Sequence, residues 1–83
     1  MKIDYSRLRT VPVRKLAAAL LKDGFQLTRQ KGSHRRYRHP DGRRVTLTIH
    51  HASDILPLPT LQSLVEHQAR WTEDDLIRLR LLK

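Results

Sequence analysis

At Gly24 the hydrophobic period changes from that of a helix to that of a strand, and this switch constrains the fold more than any other feature. Upstream, Val13, Leu16, Ala17, Leu20 and Leu21 recur at i, i+3, i+4, i+7 and i+8, the spacing of one buried helical stripe. Pro12 suits a first helical turn, where its missing N–H is not needed. Gly24, after Lys22-Asp23, suits a C-terminal cap that needs positive φ. A helix over 13–23 follows.

Downstream the pattern alternates. Phe25, Leu27 and Arg29 alternate with Gln26, Thr28 and Gln30, and Lys31-Gly32 turns the chain into a second strand from Ser33 to His39. His39-Pro40-Asp41-Gly42-Arg43 is a hairpin connection, and Val45, Leu47 and Ile49 then alternate with Thr46, Thr48 and His50. After a loop carrying two prolines, a helix begins near Pro59 or Thr60 with Leu61, Leu64 and Val65 on one face. Thr72-Glu73-Asp74-Asp75 resembles a capping box opening a short last helix, with Leu76, Leu79 and Ile77 as inward candidates and Trp71 as an anchor. The expected class is α+β: a three-stranded antiparallel sheet with two helices on one face, in the order α-β-β-β-α, plus a short C-terminal helix. The other sheet face is left to solvent, where a ligand would be read. Residues 1–11 read as an N-terminal extension, loose or forming a short flanking element, and residues 12–83 as one domain.

Charge narrows the partner. Seventeen Lys and Arg face eight Asp and Glu, a formal net charge of +9 on 83 residues. From Gln26 to His51 the basic residues are Arg29, Lys31, Arg35, Arg36, Arg38, Arg43 and Arg44, against the single acid Asp41. Half of the acids, Glu66, Glu73, Asp74 and Asp75, lie in the C-terminal stretch instead. A basic middle of this kind attracts polyanions, because each neutralised phosphate releases condensed counterions. There is no cysteine, so thiolate metal sites and a cysteine nucleophile are excluded. His50-His51 has no acidic or thiol partner nearby to complete a metal site. No apolar run is long enough to span a membrane and MKIDYSRLR lacks an apolar signal region, so a cytoplasmic place is expected.

The segment from Gln30 to His39 holds what phosphodiester cleavage without a metal requires. Such cleavage needs a base for the ribose 2′-hydroxyl, an acid for the leaving 5′-oxygen, and cations for the charge on phosphate. Histidine serves as acid or base, and arginine grips phosphate with a planar fork. If Tyr37 points into the core, His34, Arg36 and Arg38 share the open face with Thr46 and Thr48, and His50 lies at its end. Lys31 adds a point charge, and N–H groups around Gly32 can approach phosphate closely. Ser33 shapes the turn or holds a phosphate, since no carboxylate nearby would orient a base for it as a nucleophile. Arg-rich strands also serve as phosphate contacts that position a ligand without reacting. On these residues alone the chain reads as an RNA-binding domain. A non-catalytic binder of double-stranded RNA or other nucleic acid, and a module whose basic face binds an acidic protein, stay open.

The run Leu20-Leu21-Lys22-Asp23-Gly24-Phe25, then Arg29-Gln30-Lys31-Gly32-Ser33-His34, then Tyr37-Arg38-His39-Pro40-Asp41-Gly42-Arg43-Arg44-Val45, resembles the HicA toxin family, small messenger RNA interferases of toxin–antitoxin pairs. The resemblance covers roughly residues 12–70, and its most specific part is Gly-Phe placed just ahead of Lys-Gly-Ser-His. It implies a double-stranded-RNA-binding-like fold and a ribosome-independent endoribonuclease; with no metal-ligand set in the sequence, a metal-independent enzyme without a cofactor is expected. The resemblance makes His34 the catalytic residue and a HicB-like antitoxin the protein partner, while Lys31, Gly32, Ser33, Arg36 and Arg38 are the phosphate-binding candidates the residues themselves suggest. Two departures stand out. Thr48-Ile49 occupies the end of the third strand, where the family commonly has a proline, and Pro59 replaces the usual glycine before Thr60-Leu61.

Overall fold

The computed structural model describes residues 3–82. It is α+β, with a three-stranded antiparallel sheet in the order β1-β2-β3, helices before and after the sheet, and a short C-terminal helix. Helix α1 (Tyr5–Leu8) precedes α2 (Val13–Lys22); β1 (Gln26–Lys31), β2 (His34–Arg38) and β3 (Arg44–Thr48) follow, then α3 (Leu58–Ser63) and α4 (Glu73–Arg78). Within residues 1–11, Asp4 caps α1 by accepting from the Ser6 N–H, and Leu8 is fully buried with the core.

Helix α2 follows the predicted stripe, burying Val13, Leu16, Ala17 and Leu20, with Ala19 in addition. Pro12 stands just outside as the N-cap residue. Leu21 is 55% exposed, because one residue past Leu20 turns about 100° around the axis and leaves the stripe. The helix closes as a Schellman motif: the Phe25 N–H donates to the Leu20 carbonyl and the Gly24 N–H to that of Leu21. Gly24 has φ +103°, and an added Cβ would lie 3.0 Å from His39 Nε2. Gly24→Ala therefore meets both backbone strain and a crowded ring, a loss of about 1–3 kcal/mol. A thermal melt should show a drop of several degrees; an unchanged midpoint would contradict this reading of the cap.

One face of the sheet carries Tyr37, Val45 and Leu47, all buried in one cluster with Phe25 and the apolar faces of α2 and α3. Leu61, Leu64 and Val65 contribute as predicted, but the helix opens earlier, at Leu58, with Pro57 as its N-cap residue. It runs on as a π-helical turn over Leu64–Gln68. That turn delivers Gln68 to the outer edge of β3, where its Oε1 accepts from the Thr46 N–H at 2.9 Å and occupies one exposed ladder donor. The Thr72–Asp75 capping box opens α4, Leu76 and Leu79 are buried, and Ile77 is exposed.

A polar hub ties these parts together. The Asp23 carboxylate, only 7% exposed, accepts from the Trp71 indole N–H at 2.9 Å and pairs with Arg43 at 3.2 Å and Arg78 at 2.6 Å. The Asp23 carbonyl contacts His39 Nε2 at 2.9 Å, and His39 Nδ1 accepts from the Asp41 N–H, which is the pattern of the Nε2–H tautomer. His39 also packs edge-on against Phe25. Its ring is thus a bracket between the hairpin and the end of α2.

Candidate active site

The register assembles the open face. Residues paired across antiparallel strands project to the same side, so the pairings His34↔Thr48, Arg36↔Thr46 and Arg38↔Arg44 stack three rungs on the face opposite Tyr37. On β1, Lys31 pairs with His34, Arg29 with Arg36 and Gln26 with Arg38. The rungs read Lys31–His34–Thr48, Arg29–Arg36–Thr46 and Gln26–Arg38–Arg44. His34, Arg36 and Arg38 are exposed while Tyr37 is 3% exposed, so alternation placed these side chains on the open face.

Arg29 was placed with Phe25 and Leu27 by simple alternation, and the structure moves it. A β-bulge between Leu27 and Arg29 inserts Thr28 as an extra residue, which resets the phase of β1. Leu27 stays opposite Tyr37, whereas Arg29 and Lys31 come to the face of Arg36 and His34. The Thr28 hydroxyl donates to the Arg36 carbonyl at 3.2 Å and helps to hold the kink.

His34 opens β2 immediately after a two-residue hairpin. Gly32 has φ +58° and Ser33 a negative φ, the sign pattern of a type II′ turn, in which the first central position favours glycine. The Ser33 carbonyl accepts from the Ile49 N–H at 2.8 Å, fastening the turn to the exit of β3. Among the turn and loop hydrogen bonds of the described residues, neither the Gly32 nor the Ser33 N–H donates to a backbone acceptor. His34 Nδ1 lies 3.3 Å from the Thr48 hydroxyl, and Nε2 makes no hydrogen bond within the described protein. Arg29, Lys31, His34 and Arg36 enclose a shallow hollow of about 280 Å³.

The electrostatics of this face are one-signed. Among the described residues, the ion pairs join Arg43 and Arg78 to Asp23, Asp41 and Asp75, and none engages Arg29, Lys31, Arg36, Arg38 or Arg44. Arg43, although part of the same basic run, is 16% exposed and serves structure: it pairs with Asp23 and Asp41, donates to the Ala69 carbonyl and lies over the Phe25 ring. A larger hollow of about 980 Å³ involves Tyr5, Glu66, Glu73 and Asp74, the wrong sign for a polyanion. Among the described residues no three His, Asp or Glu side chains group as metal ligands. Nor is any described helix long and apolar enough to cross a membrane.

Sequence reasoning missed Arg29 and Arg44 as members of this face. Arg44 had a readable signal, since it sits one residue before Val45 in a strict alternation; Arg29 had none, because nothing in Leu27-Thr28-Arg29 announces a bulge.

Comparison with curated proteins returns no match. A family model described as the HicA toxin of bacterial toxin–antitoxin matches residues 13–71. That span is well over half of the chain, begins at the first residue of α2 and ends at Trp71 of the polar hub, so it takes in the whole sheet and the His34 face. The chain belongs to the HicA toxin family of bacterial toxin–antitoxin systems.

Proposed function

We propose that the protein is a toxin that cleaves messenger RNA without a metal, with His34 as the catalytic residue. The observation that carries this reading is the Lys31–His34–Thr48 rung set directly beside Arg29–Arg36, on a face where the described ion pairs leave the cations unclaimed. Thr48 holds Nδ1 and leaves Nε2 for the ligand. A scissile phosphate in the adjoining hollow meets Lys31, Arg29 and Arg36, and the turn that joins Lys31 to His34 offers the N–H groups of Gly32 and Ser33. Arg38 binds phosphate farther along the strand.

The reaction that fits is attack of the ribose 2′-oxygen on the adjacent phosphorus. The 2′-hydroxyl loses its proton, the new P–O bond forms, and the bond to the 5′-oxygen breaks. The products are a 2′,3′-cyclic phosphate and a 5′-hydroxyl. His34 moves one of the two protons as general base or acid, and water handles the other. Such help supplies about 10²–10⁴-fold, the rest coming from positioning and the cations that receive the developing charge. With one imidazole the turnover is slow, which suffices for growth arrest. The resemblance supplies the remaining parts: a HicB-like antitoxin covers the cationic face, and both act in the cytoplasm, where messenger RNA is found.

Purified protein incubated with RNA in excess chelator should cleave it; cleavage that appears only when a divalent cation is added would overturn the proposal. Binding should also be strongly salt-sensitive. Five free cations neutralising phosphates on a single strand give a slope of log affinity against log salt of about −3.5, or about a hundredfold loss for a fourfold rise in salt. A slope near zero in a titration of fluorescent RNA would contradict phosphate binding by this face.

A further inference from the structure

We infer that Arg38 and Arg44 form a second phosphate subsite, and that the substrate is a single RNA strand laid along β2 from this subsite to His34. This rests on the reading of the open face as the RNA-cleaving surface. Arg38 and Arg44 are directly paired across β2 and β3, and Gln26 completes their rung without charge. Like charges set opposite each other on a sheet are destabilising, and no ion pair among the described residues relieves this pair. A bound anion relieves it. The same end of the face holds a hollow of about 410 Å³ bordered by Thr28, Arg36, Arg38, Arg44 and Thr46, which places two hydroxyls beside three guanidinium groups.

Position along the strand sets what can reach both places. His34 and Arg38 are four residues apart on β2, about 13 Å at strand rise. That gap is too wide for neighbouring phosphates of one strand, so the anion at Arg38 and Arg44 belongs to a linkage beyond the adjacent one. Arg36 borders both hollows and spans the interval. Phe25, Tyr37 and Trp71 are buried and Tyr5 belongs to α1, so His34 is the one aromatic ring on this face among the described residues, and no Phe, Tyr or Trp there offers a stacking platform. Recognition is therefore of backbone, with little preference among bases. The strand is single because in-line attack by the 2′-oxygen requires a ribose-phosphate geometry that a linkage held in an A-form duplex does not adopt.

The test uses the full chain and 2′-O-methyl oligonucleotides of two, four and six residues, measured by fluorescence anisotropy, with cleavage of the matching RNAs in parallel. Affinity should rise at least about tenfold once the oligonucleotide is long enough to span both subsites, a gain typical of one charge-assisted hydrogen bond. Arg38→Gln/Arg44→Gln should remove most of that length increment, and a thermal melt should show the variant folded. Affinity that does not grow with length, or an increment that survives in the double variant, overturns the subsite. A duplex of equal length binding more tightly than the single strand overturns the choice of substrate. A length increment in binding with no cleavage of any RNA would support the subsite while sinking the nuclease reading.

Discussion

Replacing His34 by alanine is expected to lower RNA cleavage by about 10²–10⁴-fold while RNA affinity changes little. The imidazole is exposed at the start of β2, shares one hydrogen bond with Thr48 and contributes nothing to the core, so the variant should melt like the parent. On the proposed reading, affinity is carried by Arg29, Lys31, Arg36, Arg38 and Arg44, which the substitution leaves in place. Cleavage that survives intact would remove His34 from the chemistry. A parallel collapse of binding and cleavage would mean that it acts as a binding contact instead.

The largest effect on stability is expected at Asp23. Asp23→Ala removes the acceptor for the Trp71 indole and the partner of Arg43, both mostly buried, at a cost of about 3 kcal/mol. For a domain of this size that is a fall in Tm of roughly 10–20 °C. Asp23→Asn keeps an acceptor for Trp71 and should lose less. The hub also sets an acid limit. Burial pushes the Asp23 carboxyl up, but the hydrogen bonds from Trp71 and Arg78 and the charges of Arg43 and Arg78 outweigh it and hold it below its ordinary value of 3.8. A carboxylate depressed in the folded state stabilises above its unfolded value and loses that contribution as pH falls through the folded one. Stability should therefore be flat above about pH 5 and drop below about pH 4. Asp41 and Asp75 are depressed too and act in the same direction. Asp23→Asn should flatten part of the acid drop; an unchanged pH profile in that variant would mean the hub is not the source.

Elements governed by local periodicity were readable from the chain. The α2 stripe, the Gly24 cap, the alternation of β3 and the Thr72–Asp75 capping box each depend on residues a few positions apart. The face bearing His34, Arg36 and Arg38 followed from the burial of Tyr37 alone. What stayed hidden depends on distant partners or on backbone irregularity. Arg43 looks like its neighbours until Asp23, twenty residues earlier, claims it. Trp71 and Asp23 meet across 48 residues. The π-helical turn that brings Gln68 to Thr46, and the bulge that turns Arg29 toward the open face, each interrupt a regular pattern without any residue that signals it.

The chemistry assigned to His34 is tested most directly by the ends of the RNA it produces. Fragments made by the purified protein in chelator should carry 2′,3′-cyclic phosphate and 5′-hydroxyl termini, and a single 2′-deoxyribose at the cleaved linkage should block the cut there. Fragments with 3′-hydroxyl and 5′-phosphate ends, or cleavage indifferent to that deoxyribose, would show that the 2′-oxygen is not the nucleophile and would contradict the account.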